Sequence, residues 1–477
     1  MAFTSLNFLL FFPVVMAAYW ITPAKARWIT LLVASYFFYI NVKPVFALLM
    51  AGVTLSTYLF SILIAKTQNE KRRRAYLILS IVLILMPLFF FKYYGNINSA
   101  MISFMESIHL HWPLPEIKLI LPVGISFYTF VGIGYIIDVY NEETVPEKNL
   151  AMLALFISFF PLILSGPIER GRNMLPQFKT PHQFNPSYIV SGGKMMLWGY
   201  FMKLVVADRI GIYVDAVYNF IPQHNGSSLL LASILYPFQM YADLGGYSLI
   251  AIGVAKTMGI DVMQNFKRPF FASTMSEFWR RWHISLITWL TDYIYTPLSF
   301  ALRDYKIWGI VVALMTTFLI SGLWHGATLT FLVWGLMQGA FLSIEAITSK
   351  RRSRMEKKYQ LKGKKWYIMA GIFTTFLLFM GSQIFSRAAD LNSALQVYSK
   401  IFTDSFHLPY KDGDTMLYSF IGLGVLLTKD FTEEYFPRLQ LFENKNIGVR
   451  WASYYLVIFL ILFIGVFGQE KFIYFQF

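Results

Sequence analysis

The sequence predicts an all-α polytopic membrane protein with about 11–13 transmembrane helices. Hydrophobic residues make up 56% of the 477 residues and charged residues only 14%, whereas a typical soluble domain has ~25% charged residues. Uncharged runs long enough to cross a bilayer recur along the whole chain. The sequence has no fixed-period repeat and no polar stretch long enough for a separate soluble domain. We therefore expect a single integral-membrane domain over residues 1–477.

The predicted spans follow one another from the first residues to the last. They lie at residues 6–21, 28–42, 44–65, 76–93, 119–137, 150–168, 188–207, 229–256, 307–324, 326–347, 366–385, 415–428 and 451–469. Several of these runs are short or interrupted by glycine and proline, so we expect some to be re-entrant or interfacial. The first run lacks a preceding positively charged region, which favours an uncleaved span over a signal peptide.

The formal charge of +15 is concentrated in two short segments, Lys66 with residues 71–74 and residues 350–365. Such clusters are typical of cytoplasmic loops next to anionic headgroups, so we expect membrane lipids and no nucleic acid as partners. Three spans precede the first cluster, which predicts an external N-terminus and an external loop at residues 94–118. The chain has no cysteine, which excludes disulfides and thiolate chemistry.

The predicted catalytic core is the segment of residues 276–347. Its first part predicts a helix, because Thr274 and Glu277 have the spacing of a capping box. This part is a poor candidate for a span, because four polar residues fall within less than one span length. They are Arg280, Arg281, His283 and Asp292. We expect this part to lie in the membrane interface or to line a wet cavity, with Trp279 and Trp282 as amphipathic anchors.

The second part of the core is apolar. Residues 307–347 contain no charge except Glu345, which is enough for two spans. His325 lies near the junction of these spans. Gly322 and Gly326 are four residues apart, a spacing that lets another backbone approach closely, so we expect the imidazole to be packed inside the protein.

Polar residues elsewhere interrupt apolar runs. Residues 165–170 predict a helix terminus with an exposed ion pair. Asp243 precedes Gly245 and Gly246 in an apolar stretch, and is expected to be either functional or the structural partner of Arg280 or Arg281. Three aspartates near span ends are expected to be solvated: Asp138, Asp208 and Asp215.

The motifs exclude several chemistries. The sequence has no H-E-x-x-H motif, and no Asp or Glu stands at ligand spacing from His283 or His325. His109 and His111 could bind a metal, but a solvated loop is the favoured interpretation. The seven histidines lie at positions 109, 111, 182, 224, 283, 325 and 407. The sequence contains no G-x-S-x-G elbow and no Walker loop, and Gly132-x-Gly134 is interpreted as a packing feature. What remains is a buried neutral imidazole that takes a proton from a hydroxyl as its oxygen attacks an acyl group. The alternative, a hydrogen-bonded core histidine, stays open on these residues alone.

The chain resembles the membrane-bound O-acyltransferases, and within them the bacterial alginate O-acetyltransferase branch. The resemblance covers most of the chain and rests on FTSLNFL at residues 3–9, LPVGISFY at 121–128, SFFP at 158–161, SGPI at 165–168, YAD at 241–243, EFWRRWHISL at 277–286, GLWHG at 322–326 and FIYFQF at 472–477. It implies a ring of membrane helices around a central cavity.

The resemblance also implies the chemistry. His325 would be the essential residue and the catalytic base, and His283 would form orienting hydrogen bonds. The acyl donor would be acetyl-CoA from the cytosol, with no bound cofactor or metal, in the inner membrane of a bacterium. The acceptor would be an extracytoplasmic polysaccharide, reached through an SGNH-type acetyltransferase partner. We expect six further residues to bind substrate: Trp279, Arg280, Arg281, Trp282, Trp324 and Asp243.

Two departures from the alginate pattern leave the acceptor open. Leu249 stands where many members have aspartate, and residues 296–300 read TPLSF instead of a more usual IPLGG. Peptidoglycan O-acetylation, D-alanyl transfer to teichoic acid, lipid O-acylation and a non-enzymatic membrane transporter remain alternatives. The two arginines would bind the phosphates of CoA, or else pair with Asp243 or lipid headgroups.

Overall fold

The computed structural model describes residues 1–41, 43–110, 112, 115, 119–405 and 413–468. Every regular element in these residues is a helix. The α-helices are α1 (Leu6–Ile21), α2 (Arg27–Ile40), α3 (Pro44–Lys66), α4 (Glu70–Ser107), α5 (Ile125–Tyr140), α6 (Leu150–Ser158), α7 (Gly171–Lys179), α8 (Pro186–Tyr200), α9 (Asp208–Tyr218), α10 (Gly226–Thr257), α11 (Met275–Trp279), α12 (Ile284–Leu290), α13 (Thr296–Ala301), α14 (Ile307–His325), α15 (Leu329–Lys358), α16 (Lys365–Arg387), α17 (Leu391–Thr403), α18 (Gly413–Tyr435) and α19 (Ile447–Ile464). Two further segments, Phe201–Ala207 and Thr291–Tyr295, are π-helical.

Within the described part of the chain, six helices are long and apolar enough to cross a membrane: α3, α4, α14, α15, α16 and α19. The helices α1 and α5 are apolar but shorter. The all-α, multi-pass prediction is confirmed, and the larger number of spans stays a prediction. Two predicted histidines, His111 and His407, and the motif at residues 472–477 lie outside the described residues.

Several predicted boundaries are wrong, and two of them have a physical cause in the sequence. The run at 150–168 is not one helix, because α6 ends at Ser158 and Pro161 disfavours helical geometry in the residue before it. The expected loop at 94–118 is helical as far as Ser107, because α4 extends over 38 residues. The helix α4 also begins at Glu70, before the predicted start at residue 76. Asn69 Oδ1 accepts a hydrogen bond from Arg72 N at 3.2 Å and caps the helix.

The chain divides into two compact units, and the first contains residues 1–193 and 251–263. In this unit α5 packs against α3 at Gly132, where an added Cβ would lie 3.0 Å from Thr57 Oγ1. The interpretation of Gly132-x-Gly134 as a packing feature is confirmed. Asp138, on the same helix, is 1% exposed, so the expectation that it is solvated is wrong.

The segment at 165–170 in the first unit is also buried. Glu169 and Arg170 are 4% and 9% exposed. Glu169 accepts hydrogen bonds from Met263 N at 2.6 Å and Asn173 Nδ2 at 2.8 Å. The expected exposed ion pair is therefore wrong, because protein amides replace water around this carboxylate.

The second unit contains residues 194–250 and 264–477, and so the whole predicted catalytic core. Its helices α14 and α15 pack closely through glycines. A Cβ added at Gly322 would lie 2.4 Å from Phe331 O and 3.2 Å from Gly335 Cα. The predicted close approach at Gly322 is confirmed, and it fixes the end of α14, where His325 lies.

Candidate active site

The chain before His283 consists of short helices rather than a span, as predicted. Thr274 Oγ1 accepts a hydrogen bond from Glu277 N at 3.1 Å and caps α11. Glu277 reaches back one residue further than a capping box requires and accepts from Ser273 N at 2.8 Å. The predicted helix start is confirmed. The helix ends after five residues at Trp279, which leaves the following residues to make a turn.

His283 lies in this turn with a φ of +44°, a left-handed conformation that costs about 1–3 kcal/mol for a residue with a side chain. Two backbone hydrogen bonds hold the turn against the neighbouring irregular segment that contains Asn265 and Lys267. Lys267 N donates to Arg281 O at 2.9 Å, and Ile284 N donates to Asn265 O at 2.8 Å. The imidazole is thereby fixed in the interior, where His283 is 1% exposed.

Asn265 determines the tautomer of His283. The backbone amide of Ser285 donates to Asn265 Oδ1 at 3.2 Å; because an amide N–H only donates, this atom must be the oxygen. Asn265 Nδ2 in turn donates to Ser248 Oγ at 3.0 Å. His283 Nδ1 lies 3.2 Å from the same Oδ1 and must therefore carry the proton. In the neutral ring, Nε2 is then the basic nitrogen.

The protonation state of His283 follows from its burial. This residue lies outside the six candidate spans, and burial lowers its pKa to about 3 because the interior disfavours the charged ring. His283 is therefore neutral at physiological pH. Its Nε2 atom is then a hydrogen-bond acceptor and carries no proton.

His325 is the last residue of α14 and is surrounded by aromatic rings. The ring centroid of Trp324 lies 4.6 Å from that of His325, and the centroid of Trp334 lies at 5.1 Å. Phe331 stacks on the imidazole with a 17° interplanar angle. A Cβ added at Gly326 would lie 2.0 Å from the Phe331 ring, so only glycine permits this arrangement. His325 is half-buried.

Both histidines line one cavity in the second unit. The lining residues are Met240, Trp279, Trp282, His283, Leu286, His325, Phe331, Trp334, Gln383 and Ser386. Four predicted site residues thus come together, and Trp324 packs beside both imidazoles. Among the described residues no group of three His, Asp or Glu side chains could hold a metal ion.

Comparison with known proteins identifies the family of the chain. Residues 142–387, more than half of the chain, match the membrane-bound O-acyltransferase family and include every cavity residue. The chain is 32% identical to a probable alginate O-acetylase of Pseudomonas putida over 501 aligned residues, which cover 100% of both proteins. The chain belongs to the membrane-bound O-acyltransferase family. It is therefore an O-acyltransferase with multiple membrane spans, and the family resemblance seen in the sequence is confirmed.

The names of two further relatives of this O-acyltransferase give acceptors other than alginate for the transferred group. A peptidoglycan O-acetyltransferase of Helicobacter pylori is 32% identical over 433 residues, with 83% of this chain and 78% of that protein covered. A teichoic acid D-alanyltransferase of Streptococcus thermophilus is 28% identical over 275 residues, covering 53% of this chain and 65% of that protein.

The two predicted arginines of the acyltransferase have different surroundings. Arg280 is exposed, and its Nε donates to Ser276 O at 3.2 Å. Arg281 is largely buried and forms ion pairs with Glu277 at 2.6 Å and Glu434 at 2.9 Å. These contacts lower the pKa of Glu434, outweighing the opposing effect of its burial. Arg281 thus belongs to an internal ion network, whereas Arg280 is accessible.

Asp243 has a partner that the sequence analysis missed. Lys203 Nζ lies 2.6 Å from Asp243 Oδ1 and 2.8 Å from Asp208 Oδ1, and all three side chains are buried. The expected pairing of Asp243 with Arg280 or Arg281 is wrong, and Asp208, 8% exposed, is not solvated. The sequence did indicate this pairing, because Lys203 interrupts the apolar run 188–207 and opposite charges inside a membrane protein usually pair.

The backbone around this ion cluster is adapted to it. Lys203 lies in the π-helical segment Phe201–Ala207, a geometry common at functional sites. A Cβ added at Gly246 would lie 2.8 Å from Gly199 O, so glycine allows the helical segments carrying Lys203 and Asp243 to approach. Asp208 begins the helix that follows the π-helical segment.

Sequence reasoning also missed Asn265, Trp334 and Gln383. Asn265 lies in an irregular stretch, and Trp334 resembles the apolar residues around it. Gln383 was a detectable exception, because it is a polar residue near the end of the predicted span 366–385.

Proposed function

We propose that this O-acyltransferase moves an acetyl group from cytosolic acetyl-CoA to an extracytoplasmic polysaccharide, directly or through an SGNH-type acetyltransferase partner, in the bacterial inner membrane. The observation that carries the proposal is the cavity lined by both His283 and His325. The full-length similarity to a probable alginate O-acetylase supports acetyl as the transferred group.

In the proposed reaction His325 is the general base. An acceptor hydroxyl attacks the thioester carbon, its proton passes to the His325 imidazole, and the C=O electron pair moves onto the carbonyl oxygen. Collapse of this intermediate restores the C=O bond and breaks the C–S bond. The thiolate then takes the proton from the imidazolium. Acetyl has moved from sulfur to oxygen, and a proton from oxygen to sulfur.

His283 has a different proposed role. A general base works best with a pKa near the operating pH, and the pKa of His283, about 3, is far below it. Its Nε2 instead accepts a hydrogen bond from the bound substrate and orients it. Asn265 maintains that role by holding Nδ1 protonated.

Arg280, Trp282 and Trp324 complete the proposed donor site. The exposed guanidinium of Arg280 is available to the phosphates of CoA. Trp282 lines the cavity, and Trp324 packs on His325. Arg281 and Asp243 are already engaged in ion pairs, so we assign them a supporting role around the site.

The test uses acetyl-CoA with a radiolabelled acetyl group and measures the release of CoA. Purified wild type and His325→Ala are compared, each with and without an SGNH-type partner. We expect label to leave CoA only with His325 intact, with a loss of at least about 10²-fold in the variant. His182→Ala is the control, since His182 bonds to Gln177 O in the first unit. Turnover by His325→Ala would refute the role of the base. A wild type active only with a carrier-protein thioester would favour D-alanyl transfer, and no turnover with any donor would favour a transporter.

A further inference from the structure

Three residues that line the cavity carry buried N–H groups without an acceptor in the described part of the protein: Trp279 Nε1, Trp334 Nε1 and Gln383 Nε2. Ser386 Oγ lies 2.5 Å from Gln383 Oε1, and with the amide in this orientation its Nε2–H groups are available. Buried donors are almost always satisfied in folded proteins. Three exceptions around one cavity therefore call for an explanation.

The three donors come from three helices, α11, α15 and α16, and one of them, Trp334, packs against the proposed base. The ring centroid of Trp334 lies 5.1 Å from that of His325 and 6.1 Å from that of Trp279. An indole N–H donates and never accepts. The matching group on a bound molecule is therefore an acceptor oxygen, and the place where it is needed is beside His325.

We propose that Trp279, Trp334 and Gln383 bind the carbonyl oxygen of the transferred acyl group and stabilise its negative charge in the tetrahedral intermediate. This inference rests on the proposed acyl transfer from a thioester. The donors form hydrogen bonds only, and no bond beyond those of the transfer is made or broken. Fixed donors in a water-poor cavity stabilise such an oxyanion because they need no reorganisation during the reaction.

The first test is kinetic. Trp334→Phe keeps an aromatic ring and removes the N–H, and Gln383→Met keeps the length of the side chain and removes the amide. Each is expected to lower kcat by about 10²–10³-fold with little change in KM for acetyl-CoA. The control is Trp198→Phe, because Trp198 is a buried tryptophan of the same unit that stacks on Phe201 away from the cavity. Thermal stability of each variant in detergent separates lost catalysis from lost folding.

The second test measures binding without turnover. Acetonyl-CoA keeps the carbonyl but has no cleavable thioester, and S-ethyl-CoA lacks the carbonyl. Wild type is expected to bind acetonyl-CoA roughly tenfold more tightly, and Trp334→Phe or Gln383→Met should abolish that preference.

The outcomes separate this inference from the proposed function. If wild type binds both analogues equally while hydrolysis or transfer of acetyl-CoA proceeds, ordered water satisfies the three donors and the carbonyl assignment is wrong. If wild type binds neither analogue, acetyl-CoA is not the donor, and both proposals fail together. Unchanged kcat in Trp334→Phe and Gln383→Met would also overturn the assignment.

Discussion

Replacing Lys203 by methionine removes the single cation between two buried carboxylates, Asp208 and Asp243. Both carboxyl groups lie within 3 Å of Lys203 Nζ, so the variant leaves two buried carboxyl groups without their cation. Breaking a buried pair by removing one partner costs about 3–5 kcal/mol, because the remaining charge is desolvated without compensation. We expect Lys203→Met to be strongly destabilised.

The assay is the fraction of detergent-solubilised protein that remains monodisperse after heating, for Lys203→Met, Asp243→Asn and the double variant. Since the residues are in contact, their effects should not add, and the double variant should recover part of the loss. A Lys203→Met variant as stable as wild type would refute the reasoning. If Asp243→Asn then lost activity without loss of stability, the predicted substrate-binding role of Asp243 would be favoured instead.

Three further predictions follow from the same structure. Arg280→Glu should weaken the binding of acetyl-CoA and make that binding less sensitive to salt, and the thermal stability of this variant should be unchanged. Arg281→Glu should instead lower the thermal stability, because the new carboxylate would lie beside Glu277 and Glu434, which now bind the arginine. Gly322→Leu should abolish recovery of monodisperse protein, because its Cβ would meet the backbone of α15, whereas Gly424→Leu should be tolerated, since nothing lies within 4 Å of a Cβ there. The contribution of His283 to the free energy of unfolding should be fully present above pH 6.5 and should be lost as the pH falls towards 3, because His283 has a pKa near 6.5 in the unfolded chain and about 3 in the folded chain. We would measure thermal stability against pH for the wild type and for His283→Gln. A smaller loss of stability between pH 6.5 and 3 in His283→Gln would confirm the prediction, and an identical profile would refute it.

Most helices were predictable because an apolar run in a membrane protein has few alternatives to a helix. The runs at 44–65 and 307–324 correspond to α3 and α14 within a residue or two. The run at 150–168 failed because hydropathy alone does not register Pro161 and the turns around it. The early start of α4 was missed because charged residues, which end a hydropathy run, do not end a helix that Asn69 caps.

The candidate site was predictable where a motif marked it and unpredictable where folding assembled it. Both histidines and two tryptophans of the cavity were found from their motifs. Trp334 contributes through a position on α15 that no local pattern distinguishes, whereas the polar Gln383 stands out in the apolar run of α16. The Lys203–Asp243 pair was inferable, because each residue places a charge in the middle of an apolar run and opposite charges inside a membrane protein are expected to pair.

The two histidines share a cavity and differ in what their environments permit. His283 is fully enclosed, is held in one tautomer by Asn265, and has a pKa lowered by burial, so its Nε2 remains a permanent acceptor. His325 is half-buried at the end of a helix and lies among rings, where a transient positive charge on the imidazole can interact with their π faces. A site that must both hold a substrate and carry a proton away needs one imidazole of each kind. This division, rather than the number of histidines, supports the proposal that His325 is the base.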